Sequence, residues 1–372
     1  MKRSLIALAA LAVVGAASAQ SSVSIWGTVD ASYNYATADL VAGSQSKASL
    51  ANSQLGSSKL GFSGLEDLGG GLKAKFWLEA GLANDNGAGK SSNSNNQASG
   101  SLAGVAGSQG IVFQRRSYVG LVGNFGELKL GREYVNTFIG VQAAVDPFGT
   151  NGPADSTQMQ LALGAYLGKG FTATNASNMI TYITPTMGGF SANLQAFMGE
   201  NASGAANSDD GGGYSVTGMY AMGPLFVSAG QQQTKNSVIG DYTLQAFSAS
   251  YNFGPAIVGY TWAHEGVAGL AGAADTKNDS NLFALTVPMG AYNFKASYIT
   301  ATNNLNATKV DQKGQLFGLG VDYSLSKRSK LYATYGTISN SDGGANYGSA
   351  VVGALKANGG TTNLAVGIFH TF

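Results

Sequence analysis

The chain carries only two histidines in 372 residues and no cysteine, so its supply of nucleophiles and soft metal ligands is small. His264 and Glu265 are adjacent, and in an extended chain adjacent side chains point to opposite faces, so they cannot act as a dyad. Gly69-Gly70-Gly71 lacks the following lysine and helix that would make a phosphate cradle. No G-x-S-x-G elbow occurs. The spacing therefore argues against catalysis, cofactors and metals. What remains is a set of charged residues at alternate positions. Lys59 and Ser63 share one parity, as do Lys73 and Lys75, while Gln114, Arg116 and Tyr118 oppose Phe113, Val119 and Leu121. Rows of cations lining a polar surface select ions by field rather than by bond making.

Such residues need strands to hold them in rows. "SVSIWGTVDASYNY" puts Val23, Ile25, Val29, Tyr33 and Tyr35 on one face, with Ser24, Thr28, Asp30 and Asn34 on the other. "LKAKFWLEAG" sorts Leu72, Ala74, Phe76 and Leu78 against Lys73, Lys75, Trp77 and Glu79. A helix would scatter these residues around its axis. The composition agrees with this reading. Charged residues are 11%, against roughly 25% in soluble domains, and 44% of residues are hydrophobic with a mean hydropathy of only +0.03. Apolar residues are abundant but interleaved, as period two requires.

About sixteen such segments can be counted, beginning at 22–36 and ending at 361–372. Short turns such as those at Pro185, Pro224, Pro255 and Pro288 alternate with long Gly, Ser and Asn-rich connections at 37–56, 82–111, 134–176, 200–212 and beyond. Short turns at one end and long loops at the other are the pattern of outer-membrane barrels. A sheet in lipid has to close, because unpaired edge groups are prohibitive there. Closure of about sixteen strands leaves a water-filled lumen.

Export is predicted from the start of the chain. Lys2 and Arg3, the apolar run Leu5–Val14 and Ala17-Ser18-Ala19 form a signal peptide over 1–19. Its removal takes the 21 basic residues to 19 against 20 acidic ones, which gives no bulk attraction to nucleic acid.

Five blocks then carry a resemblance: "SSKLGFSGLEDLGGGLKAKFWLEAG" (57–81), "FQRRSYVGLVGNFGELKLGRE" (113–133), "AVDPFG" (144–149), "YSLSKRSKLYATYG" (323–336) and the terminal "GIFHTF". In this order they resemble the trimeric general porins of the β-proteobacterial type. The resemblance implies an all-β transmembrane antiparallel barrel of sixteen strands over 20–372, a homotrimer in outer-membrane lipid, and passive diffusion of small hydrophilic solutes and ions. It also implies a third external loop folded inward, here 134–176, and recognition of Phe372 by the barrel-assembly machinery. The middle of that loop, "FIGVQAAVDPFGTNGP", is too apolar to stand in solvent.

The resulting expectation is a constriction with Asp146 and Asp155 on the loop, facing Arg116, Lys59, Lys73, Lys75, Ser63 and Asn175 on the wall. The alternative to a pore-facing Asp146 is that it merely caps a turn before Pro147. Relatives often carry Arg where this chain has Lys59, Ser63 and Asn175, and Lys lacks the planar fork of Arg. Weak ion selectivity is therefore expected. Arg115 falls on the apolar parity, which sends it to the rim or a trimer contact unless a bulge turns it. Trp26, Trp77 and Phe369 on polar parity keep open the alternative of a substrate-specific channel for sugars or organic acids.

Overall fold

The computed structural model describes residues 22–90, 110–163, 172–205, 207–269, 274–305, 310–348 and 353–372. The expected signal peptide, residues 1–19, lies outside them. Each turn-to-turn segment hydrogen-bonds antiparallel to the next, from β3 (Lys59–Gly69) and β4 (Leu72–Ala83) round to β17 (Ser329–Ser341) and β18 (Thr361–Thr371). The circle closes where β18 pairs with β1 (Ser22–Leu40), in register from Thr28 opposite Thr371 to Ala38 opposite Thr361.

The other edge of β1 is shared. Its first third pairs with β3, and its remainder pairs with β2 (Gly43–Asn52), so the expected loop 37–56 is largely a hairpin that continues the wall. A two-residue strand, β5 (Ala88–Gly89), bonds to the end of β4. Setting β2 and β5 aside leaves a closed antiparallel barrel of sixteen staves.

The two faces separate as alternation requires. Outward residues such as Phe283, Leu285, Tyr298, Phe317, Leu319, Leu364, Val366 and Ile368 are exposed. Their neighbours Ser280, Ser297, Thr334 and Asn363 are buried on the opposite face. Between β13 (Ile257–Val267) and β18 direct cross-strand neighbours build horizontal apolar rows, for example Val258, Leu285, Ala296, Leu319, Tyr335 and Leu364. That continuous belt is the surface a bilayer covers. Tight turns close the end below it. One follows Pro288-Met289, where Gly290 takes φ +62°, a conformation that suits glycine.

Residues 135–163 between β7 (Gly126–Tyr134) and β8 (Asn175–Ile183) carry a short π-turn, Phe138–Gln142, and a one-turn helix, Thr157–Gln160. Phe138, Val141, Phe148, Ala154 and Met159 join Leu244, Ala246, Ala263, Leu282, Ile299 and Leu316 in the main hydrophobic cluster. These partners belong to the face opposite the apolar belt. Glycines make room for the loop: a Cβ at Gly336 would overlap the Pro153 carbonyl, and one at Gly318 would overlap Ala154. Gly318 and Gly336 are direct cross-strand partners on β16 (Gln312–Ser324) and β17.

Closure also depends on the last residue. The Phe372 ring lies over Gly27, and the two residues exchange backbone hydrogen bonds of 3.1 Å each way. Gly27→Ala would place a methyl against that ring and the Lys59 carbonyl. Overpacking of this kind costs ~1–3 kcal/mol. Urea unfolding in lipid vesicles should show that loss, together with a weaker folded band on unheated gels.

Candidate functional site

Four neighbouring staves, β3, β4, β6 (Arg116–Gly123) and β7, carry a charge cluster on their inner face. Register sets it. Gly61 opposite Glu79 and Glu79 opposite Arg116 place the carboxylate beside both neighbouring strands. Glu79 Oε1 lies 2.6 Å from Arg115 Nε and 3.3 Å from Lys59 Nζ. Its Oε2 accepts from Trp77 Nε1 at 3.1 Å and lies 3.9 Å from Arg116. Arg116 Nε donates at 2.6 Å to Glu133, which also pairs with Lys129 at 3.1 Å. Lys75 pairs with Glu127 at 2.8 Å, nearer the turn end.

Aromatic rings hold the cations in place. The Arg116 guanidinium sits 4.9 Å from the Tyr134 ring and 5.7 Å from Trp77. Lys59 lies 5.5 Å from Trp26, and Trp26 packs against Trp77 with ring centroids 4.8 Å apart. Arg and Lys on aromatic faces gain order as well as attraction.

Charge is layered across this wall. Glu79 is 1% exposed and Glu133 6%, while Lys59, Arg115 and Arg116 are exposed by 22–29%. Glu79 and Glu133 lie beneath Lys59, Arg115 and Arg116, whereas Glu127 is 18% exposed and Lys129 12%. Five cations (Lys59, Lys75, Arg115, Arg116 and Lys129) share three carboxylates (Glu79, Glu127 and Glu133).

The expected site residues do not all meet here. Lys59 and Arg116 do. Ser63 stands one step away, accepting from Trp26 Nε1 at 3.2 Å. Asn175 is brought in because the register of β7 and β8 slips between Gly131 and Glu133, and its amide donates to the Arg115 carbonyl at 2.9 Å. Lys73 lies six residues from Glu79 along β4, roughly 20 Å at strand rise, and stands opposite Asp67 beside the β3–β4 turn. Arg115 faces the lumen, against the parity argument. It precedes the first residue of β6, so strand alternation does not bind it, and irregular backbone turns it onto Glu79.

The loop carboxylates are tied to their own segment. Asp146 is buried, with Oδ1 accepting from Phe148 N at 2.9 Å and Oδ2 bonded to Ser156. That is the turn-capping arrangement, and it leaves no carboxylate of Asp146 facing Arg116. Asp155 Oδ1 takes the backbone N–H of Thr157 at 2.8 Å and its hydroxyl at 2.5 Å. Burial pushes the Asp146 carboxyl from 3.8 up to about 7, and it also raises Asp155.

Sequence reasoning missed Arg115, Glu79, Lys129 and Glu133 as one network. Alternation places Glu79, Lys129 and Glu133 on the polar faces, but the pairing of distant carboxylates with these cations depends on register.

A closed sixteen-stave barrel, with an apolar belt outside and a charged lining inside, is a transmembrane channel of the outer-membrane type. A sequence model of the Gram-negative porins matches residues 5–343, and the chain belongs to that family. Outer membrane porin protein 32 of Delftia acidovorans is 35% identical over 386 aligned residues, covering 100% of both chains. The solved anion-selective porin from Comamonas acidovorans superposes with a TM-score of 0.79 at 31% identity, over 95% of this chain and 100% of that one. The trimer form of OmpT from Vibrio cholerae shares the fold, with a TM-score of 0.64 at 18% identity over 95% and 99% of the two chains. The protein is thus an outer-membrane porin, in a family of channels rather than enzymes.

The burial of Asp146 predicts a pH dependence. Its folded pKa stands above the unfolded value, so the folded state binds the proton more tightly and stability falls as pH rises from about 4 through about 7. Urea midpoints measured across that window should decline for the wild type, and Asp146→Asn should remove that part of the decline.

Proposed function

We propose that the ion path runs between the charge cluster of β3, β4, β6 and β7 and the 134–163 segment folded into the barrel as its third external loop, and that the path favours anions. The layered exposure carries this reading: cations stand at the aqueous surface while Glu79 and Glu133 lie beneath them. The acidic side of the expected constriction is turned away from the cations, because Asp146 and Asp155 are both bonded within their own segment and burial disfavours their charged forms. A positive surface in a narrow low-dielectric channel concentrates anions. This replaces the balance of Asp146 against Arg116, Lys59 and Lys73 from which weak selectivity was expected.

Lys59 and Arg116, joined by Arg115 and Lys129, set the field in this reading, while Lys75 lies toward the periplasmic mouth. Small hydrophilic solutes pass by diffusion. The chain assembles as a homotrimer, which the trimer form of the Vibrio fold relative supports. Residues 1–19 are removed on export, and Phe372 is the residue recognised by the barrel-assembly machinery. Its seat over Gly27 at the point of closure suits that role.

Planar-bilayer recordings in a KCl gradient test the proposal. The wild type should give a reversal potential on the anion-selective side and close in three equal steps. Arg115→Ala with Arg116→Ala should move the potential toward cations and leave the three steps unchanged. A cation-selective wild type would refute the assignment.

A further inference from the structure

The connection between β2 and β3, residues 53–58, is built around one carboxylate that the charge cluster does not use. Asp30 lies mid-way along β1 on the inner face and is fully buried. Its Oδ2 accepts from the backbone N–H groups of Leu55 at 2.6 Å and Gly56 at 2.8 Å. Its Oδ1 accepts from the Tyr332 hydroxyl of β17 at 2.5 Å. The backbone is enlisted too: Asp30 N donates to Ser58 Oγ at 3.0 Å, and Ser53 N donates to Asp30 O at 3.2 Å. One side chain thus fastens β1, β17 and the 53–58 connection together.

The far side of that connection meets the tip of the long loop. Ser57 Oγ donates to Asn151 Oδ1 at 2.9 Å. Gly152, at φ +80°, lies so close to the Gln54 carbonyl that a Cβ there would overlap it. Beyond Gly152 the tip rests on the glycine pair, with Pro153 against Gly336 and Ala154 against Gly318. The tip is therefore held from both sides, by β16–β17 on one and by residues 53–58 on the other. The same connection runs directly into Lys59, a member of the charge cluster.

We infer that Asp30 is a positioning residue of the channel: through Leu55, Gly56 and Ser57 its carboxylate clamps the loop tip at Asn151–Gly152, while its backbone N–H, bonded to Ser58 Oγ, seats the residue before Lys59. It fixes the width of the opening and one of its charges from a place that no solute touches. The inference rests on the reading that 134–163 borders the ion path. What the clamp needs from Asp30 is one acceptor oxygen for the two backbone N–H groups and a hydrogen-bonding partner for the Tyr332 hydroxyl. Asparagine keeps one acceptor for the two amides and can turn its NH2 toward the Tyr332 oxygen, so it should preserve most of the clamp.

The test uses the full chain, which has no cysteine to interfere. Ser57→Cys with Asn151→Cys should cross-link readily under mild oxidation, and more slowly when Asp30→Ala is added. In bilayers Asp30→Ala should lose the single conductance level in favour of several sub-levels. Asp30→Asn should retain the single level, and cross-linking the Asp30→Ala variant should restore it. Equal cross-linking rates with and without Asp30 would overturn the clamp, and an unaltered conductance level in folded Asp30→Ala protein that does cross-link more slowly would overturn its part in setting the opening. If Asp30→Ala does not fold, Tyr332→Phe and Ser57→Ala carry the same test, with slower cross-linking read in the first and sub-levels in both. Asn151→Cys modified with a bulky thiol reagent probes the loop alone. Failure of that reagent to reduce the current would refute the constriction reading, whereas the cross-linking rates judge the clamp without reference to current.

Discussion

Backbone pairing in lipid is the constraint on which the rest of the structure depends. An unpaired N–H or carbonyl in hydrocarbon costs several kcal/mol, so a membrane sheet must have no edge. The register of β1 with β18 removes the edge, and the 19-residue length of β1 lets it split its other side between β2 and β3. Sixteen staves enclose more space than their inward side chains can fill. The space is then open to a loop and to water.

The loop is shaped by the same alternation that shapes the wall. Inward positions carry small or polar residues, and a polar face does not bind an apolar loop unless parts of it are cleared. Gly318, Gly320 and Gly336 clear a track on β16–β17 for Phe148, Pro153 and Ala154. Farther round, Leu244, Ala246, Leu282 and Ile299 supply apolar patches for Phe138, Val141 and Met159. Polar ties then fix the backbone. Ser248 Oγ donates to Val141 O at 2.7 Å, Asn278 donates to Met159 O at 2.8 Å, and Leu163 N donates to Glu265 at 3.0 Å. Glu265, set aside as a catalytic partner for His264, is a structural acceptor on the inner face, while His264 pairs outward with Asp279.

The strands were legible because period two is a local signal, and the barrel was legible because short turns alternate with long loops. The apolar 134–176 segment was likewise marked as one that must pack. Register was not legible, and the site depends on it. Glu79 meets Arg116 only because β4 and β6 align as they do, although a long connection separates them in sequence. Arg115 escaped the parity rule because it stands just outside its strand. Asp146 offered two readings from sequence, and only the placement of Phe148 N and Ser156 shows the carboxylate turned into the loop. Lys73 shared its parity with Lys75 but not its height along the barrel axis. Parity assigns a face, whereas depth along the strand requires the turn positions and pairings.

The central claim is that Arg116 borders the path taken by ions, and chemical modification at that position tests it most directly. Arg116→Cys introduces the chain's sole thiol, which a negatively charged thiol reagent can modify while single-channel current is recorded. Stepwise reduction of the current, with the reversal potential moving toward cations, is the predicted result. Complete modification with no change in current or reversal potential would contradict it.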